Sequence, residues 1–176
     1  DAATYARTIT ADEMKTDLYI YASDEFEGRD TGEPGQKKAV EFLKKEYQKM
    51  NIPSAYGTDN YFQNIPKEYF NGFSKNDSEN VLAFIEGTEK PNEVLVISAH
   101  LDHVGHHDGK IYNGADDNGS GTCALFSIAE HLAKNPPEHS VILIAFDAEE
   151  NGLIGSKHFV NKPPVSLKKI VFNLNM

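Results

Sequence analysis

The chain has 176 residues, and 17 basic against 27 acidic side chains give a formal charge of −10, which argues against a surface built to hold nucleic acid phosphates. Its longest unbroken apolar run, Val141–Phe146, is far short of the ~20 residues a membrane span needs. A single cysteine, Cys123, excludes an intrachain disulfide framework and a CxxC metal site, and 39% hydrophobic with 25% charged residues reads as one globular domain over residues 1–176.

The chain opens on Asp1 rather than Met, which reads as the removal of an upstream segment. Thr10-Ala11-Asp12-Glu13 has the spacing of a capping box, and Met14, Leu18 and Tyr21 follow on one stripe, predicting a first helix from Ala11 to Ala22. Ser23–Gly35 carries Gly28, Gly32, Pro34 and Gly35 and is predicted as a loop. Ala39, Val40, Leu43, Tyr47 and Met50 recur at three and four residues, so a second helix is expected from Gln36 to Met50, ended by Pro53. The aromatic, turn-rich segment Tyr56–Asn80 reads as an edge strand or hairpin.

From there the period changes. Val81–Ile85, Val94–Ile97, Val141–Phe146 and Ile170–Phe172 are short apolar runs that suit strands covered on both faces. Ala124, Leu125, Ile128, Ala129 and Leu132 mark a helix ending before Pro136-Pro137, and a short helix is expected after Gly155, before Pro163-Pro164. Strands alternating with helices predict an α/β, three-layer αβα sandwich with a mostly parallel central sheet. The closing Ile170–Phe172 run reads as a strand cut near its exit, hence a chain truncated at its C-terminus.

In an open α/β sheet, ligand chemistry collects beyond the carboxyl ends of the strands. There stand His100-Leu101-Asp102-His103 after the second strand and Asp147-Ala148-Glu149-Glu150 after the third, with Asp116-Asp117-Asn118-Gly119 opening a helix. An imidazole with several carboxylates suits a divalent ion such as zinc, manganese or cobalt. A calcium loop counted from Asp116 needs Glu at its twelfth position and finds Ser127, and no phosphate-binding glycine motif is present. Repulsion within the Asp147, Glu149 and Glu150 cluster asks for positive charge nearby. His106-His107-Asp108 reads as a solvated loop, His131, His139 and His158 lie away from the motifs, and Cys123 reads as a small core residue.

The strings Ser98–His103, Asn113–Gly121 and Ala145–Ser156, with the closing Asn173-Leu174-Asn175-Met176, resemble the co-catalytic zinc aminopeptidases. That group includes bacterial leucyl aminopeptidases, glutamate carboxypeptidase and glutaminyl cyclase. The Glu27-Gly28-Arg29 stretch through Gly35 is similar to this group as well, without an assigned chemical role. The resemblance implies a zinc-exopeptidase-like fold, of which residues 1–176 form the N-terminal part, and a secreted or periplasmic protein acting on peptides. It implies that His100 ligates one zinc and Glu150 the other, that Asp116 bridges both, and that Asp102 holds the far nitrogen of His100. Glu149 takes the place of the general base, and Asp117 that of the non-ligand neighbour with an unusual backbone. It further implies two ligands beyond Met176, an Asp and a His, without which two ions have about two protein contacts each, against the three usual for catalytic zinc. Two other readings stay open: a single-zinc glutaminyl cyclase, and a non-catalytic binding module of the same fold.

Overall fold

The computed structural model describes Arg7 and residues 9–176; Asp1 lies outside the described residues. Helix α1 spans Ala11–Tyr21. Its capping box forms as expected: the Glu13 amide donates to Thr10 Oγ1 at 3.3 Å and the Thr10 amide donates to Glu13 Oε2 at 3.2 Å. Helix α2 spans Pro34–Lys49 and begins earlier than the glycine and proline content predicts. Pro34 serves there as a first-turn residue, where its missing N–H has no intrahelical partner to lose. The expected loop before it contains a short 3₁₀ segment, Asp24–Arg29, interrupted by left-handed residues at Glu27 and Gly28.

The strands are β1 (Phe62–Ile65), β2 (Ser78–Ile85), β3 (Lys90–His100), β6 (His139–Phe146) and β7 (Ile170–Asn175), with a small hairpin of β4 (His106–His107) and β5 (Lys110–Ile111). β1, at the sheet edge, falls inside the segment predicted as an edge strand or hairpin. β3 and β7 run longer than their apolar runs, because the added residues are largely polar or exposed and leave no apolar signature. Helix α3 spans Ser120–Lys134 and α4 spans Ile154–Asn161.

The main sheet has the order β1-β2-β6-β3-β7. β3 pairs in parallel with both β6 and β7, while β2 is antiparallel to β6 and to β1. Four of the five strands therefore share one direction and β2 runs against them, a mixed sheet whose centre is parallel as predicted.

Period-two alternation sorts the core into two faces. Val141, Leu143 and Ala145 of β6 pack with Leu43 and Tyr47 of α2 and Leu125, Phe126 and Ala129 of α3. Ile142 and Ile144 face the other way, with Leu82, Val96 and Phe159 of α4. Helices thus cover both faces, giving the three layers. Cys123 is buried in the first cluster, and burial pushes its thiol up to about 12, so it serves as a core residue. No helix among the described residues is long and apolar enough to cross a membrane.

Candidate metal centre

β3 and β6 are parallel neighbours in a register that sets His100 opposite Phe146. The two strands therefore release their chains side by side, and Leu101–His103 emerges next to Asp147–Glu150. The Leu101 amide donates to the Phe146 carbonyl at 2.7 Å, continuing the pairing past the strand end. The third piece is Ala115–Gly119, an irregular turn that leads into α3 and contains a cis peptide between Asp117 and Asn118. The unusual backbone expected beside Asp117 is there. Thr122, in the first turn of α3, donates to the His100 carbonyl at 2.7 Å, which ties this turn to the end of β3.

His100 faces the Asp117 carboxylate, Nε2 to Oδ1 2.9 Å, while its Nδ1 lies 3.6 Å from Oδ1 of Asp102 and 3.2 Å from the Asp102 carbonyl. Burial disfavours the charged ring, but the carboxylates of Asp102, Glu149 and Asp117 outweigh it and push His100 up to about 9. Asp102 is fully buried. Its two oxygens accept from the amides of Glu149 at 3.1 Å and Glu150 at 3.2 Å. One carboxylate thus sits beside the His100 ring and caps the turn that presents both glutamates. Glu149 is raised from the usual carboxylate range by desolvation first, with Asp102, Glu150 and Asp117 adding repulsion and His100 opposing it.

Ligand atoms of His103, Asp117 and Glu150 all lie within 4.8 Å of one another, and His103 Nδ1 is 2.7 Å from Glu150 Oε1. Two features differ from the sequence reading. Asp117, rather than the expected Asp116, meets His100 and joins Glu150. Both aspartates are exposed, and Asp116 takes part through its main chain, accepting from Ser120 Oγ at 3.0 Å. The two aspartates are adjacent at an irregular turn, where neighbouring side chains leave in different directions, and adjacency in sequence carries no sign of which one meets His100. His103 is the second difference. The sequence reading left it without a role, although it stands three residues beyond His100 on the same strand exit.

Asp147 does not belong to the exposed acidic group. It is fully buried, takes a short hydrogen bond from Ser78 Oγ, and leaves Oδ1 without a partner. Burial first and the Asp102 charge second hold it well above the usual carboxylate range, and the Ser78 hydroxyl works against both. Its amide donates to Asn80 Oδ1 at 2.9 Å. An apolar cleft of about 510 Å³ opens beside His100 and Glu149, with Phe146, Leu153, Phe159 and Ile170 among its walls. His106 and His107 form the exposed hairpin strand β4, outside the cluster.

These residues lie within a segment, 80–176, that matches the model of peptidase family M28. The chain is 33% identical over 112 residues to Aminopeptidase YwaD of Bacillus subtilis, covering 59% of this chain and 23% of that protein. It is 44% identical over 86 residues to an aminopeptidase of Pseudomonas aeruginosa, covering 48% of this chain and 15% of that protein. The chain thus spans less than a quarter of the length of either relative. Among solved structures it shares its fold with a Zn-dependent exopeptidase from Parabacteroides distasonis, at TM-score 0.76 and 19% identity, covering 94% of this chain and 60% of that one. The glutaminyl cyclase of Porphyromonas gingivalis is similar at TM-score 0.76 and 19% identity, covering 96% and 59%. With more than half its length matched, including both strand exits and the turn between them, the chain belongs to peptidase family M28.

Proposed function

We propose that the protein carrying this chain is a zinc-dependent aminopeptidase that hydrolyses the N-terminal bond of a peptide, with His100, Asp117 and Glu150 as metal ligands and Glu149 as general base. The observation that carries this reading is the meeting of His100 Nε2 and Asp117 Oδ1 at 2.9 Å, where Glu149 and Glu150 leave the neighbouring strand. Imidazole nitrogen with carboxylate oxygen is a donor set that fits zinc, and the carboxylates around His100 draw positive charge to this spot. Bound there, zinc supplies Lewis-acid polarisation of a carbonyl and acidification of water. Glu149 moves the proton: its carboxylate takes one from water and passes it to the leaving amine. Asp102 anchors the amides of Glu149 and Glu150, so both start from a fixed turn.

Were Asp117 shared between two ions, His100, Asp117 and Glu150 would give each about two protein contacts, against the three typical of catalytic zinc. Residues 1–176 alone are therefore expected to bind metal without turning over peptide. A second reading, a single-zinc glutaminyl cyclase, is favoured by the one histidine–carboxylate triad among the described residues and by the fold likeness to such enzymes. Glu149→Gln in the full protein tests the aminopeptidase reading. It is expected to keep zinc and lose hydrolysis of N-terminal peptide bonds, and unchanged turnover would refute the assignment. Two zinc ions per chain at saturation support the aminopeptidase. One ion, together with ring closure of N-terminal glutamine, supports the cyclase.

A further inference from the structure

The Glu27-Gly28-Arg29 stretch has no part in the chemistry above, yet its backbone and its arginine reach both loops of the proposed centre. Glu27, Gly28 and Arg29 stand at φ of 52°, 69° and 52°, three left-handed residues in a row, a conformation that persists only where the surroundings hold it. A Cβ on Gly28 would stand 2.5 Å from the Tyr112 carbonyl oxygen and 2.6 Å from that of Gly105, so this turn is pressed against the chain between the two motifs. Its carbonyls accept from that chain: His103 N donates to Arg29 O at 3.3 Å and Gly105 N donates to Gly28 O at 3.1 Å.

The Arg29 side chain is wholly buried, and its four hydrogen bonds all end on main-chain carbonyls. Nε donates to Leu101 at 2.9 Å, Nη1 to Tyr21 at 3.1 Å and to Asn113 at 2.7 Å, and Nη2 to Gly114 at 2.8 Å. The guanidinium also lies over the Tyr21 ring at 4.6 Å. Leu101 directly follows His100; Asn113 and Gly114 lead into the turn carrying Asp117. A planar fork of fixed donors spans these segments at once, which a lysine's single nitrogen does not.

We infer that Arg29 is a positioning residue for the metal centre, holding the His100 loop and the Asp117 loop at the separation that brings their side chains together. Asn113 reinforces it, donating from Nδ2 to the Ala22 carbonyl at 2.8 Å and to Asp24 Oδ1 at 2.9 Å. This inference rests on the metal-centre reading above. The test is zinc affinity of the full protein, measured by competition with a chromophoric chelator, alongside the visible spectrum of its cobalt form. Arg29→Lys is expected to weaken zinc binding by roughly 10–100-fold, the effect typical of groups that orient ligands, and to alter the cobalt spectrum. Leu43→Ala, a core change in α2, is expected to lower the melting temperature and leave both readouts alone. A folded Arg29→Lys protein with parental affinity and spectrum overturns the inference. Should that variant not fold, Asn113→Ala takes its place, with a several-fold loss of affinity expected and parental affinity overturning the inference. If the unsubstituted protein binds no zinc, the metal reading falls, and this inference with it.

Discussion

His103 Nδ1 stands 2.7 Å from Glu150 Oε1, a separation that marks a hydrogen bond between the two. With His100 as the imidazole ligand of the proposed centre, this contact gives His103 the place of a group that orients Glu150. His103→Ala is expected to weaken zinc binding by roughly 10–100-fold while the melting temperature of the metal-free protein barely moves. Competition with a chelator measures the first and calorimetry in chelator the second; unaltered affinity would count against the orienting role.

Asp116 and Asp117 are the pair that distinguishes this geometry from the sequence reading. Asp117→Asn is expected to strip metal from the protein on dialysis, because its carboxylate faces His100 and lies close to Glu150. Asp116→Asn, at a residue that takes part through its main-chain carbonyl, is expected to keep it. Elemental analysis of both dialysed variants checks this, and the reverse pattern would restore Asp116 as the ligand.

Asp147 makes a prediction about pH. Its carboxyl is held well above the usual range in the folded protein, whereas in the unfolded chain it titrates near ~3.9. The folded state thus binds this proton more tightly. The group's contribution to stability is fully present below about pH 4 and is lost as pH rises through the raised folded value. Asp147→Asn removes that term, so the melting temperature of the variant minus that of the parent should grow more positive from pH 4 to pH 8. Scanning fluorimetry across a buffer series in chelator reads the difference; a gap independent of pH would contradict the assignment.

Gly155 packs where β6 turns into α4. A Cβ there would stand 2.1 Å from the Asp147 carbonyl oxygen and 2.4 Å from Asn80 Oδ1, and the Gly155 amide already donates to that carbonyl at 3.0 Å. Gly155→Ala is expected to cost about 1–3 kcal/mol, the range for overpacking a filled site, measured by urea unfolding. A cost below about 0.5 kcal/mol would mean that the turn adapts freely.

The helices and the central strands were legible because their cause is local. Thr10 and Glu13 meet across three residues, and Ala39, Val40, Leu43 and Tyr47 share a face through the helical period alone. The unbroken run Val141–Phe146 announces a strand covered on both sides, which β6 is. β1 and the β4–β5 hairpin were hard to see for the opposite reason: short strands in polar, turn-rich sequence carry little hydrophobic pattern.

The donor set of the proposed centre was also visible in the chain. Histidines and several carboxylates at strand exits suit a hard-to-borderline cation whatever the detailed path of the backbone. What only the tertiary structure decided is direction and partnership. Which of two adjacent aspartates meets His100 depends on the dihedral angles of an irregular turn. His103 finds Glu150 and Arg29 finds Leu101, Asn113 and Gly114 across separations of 47 to 85 residues. Those meetings depend on β6 pairing with β3 and on a left-handed turn pressed into the loop between the motifs. Local periodicity specifies an element, but only the packing of elements brings distant donors and acceptors within reach.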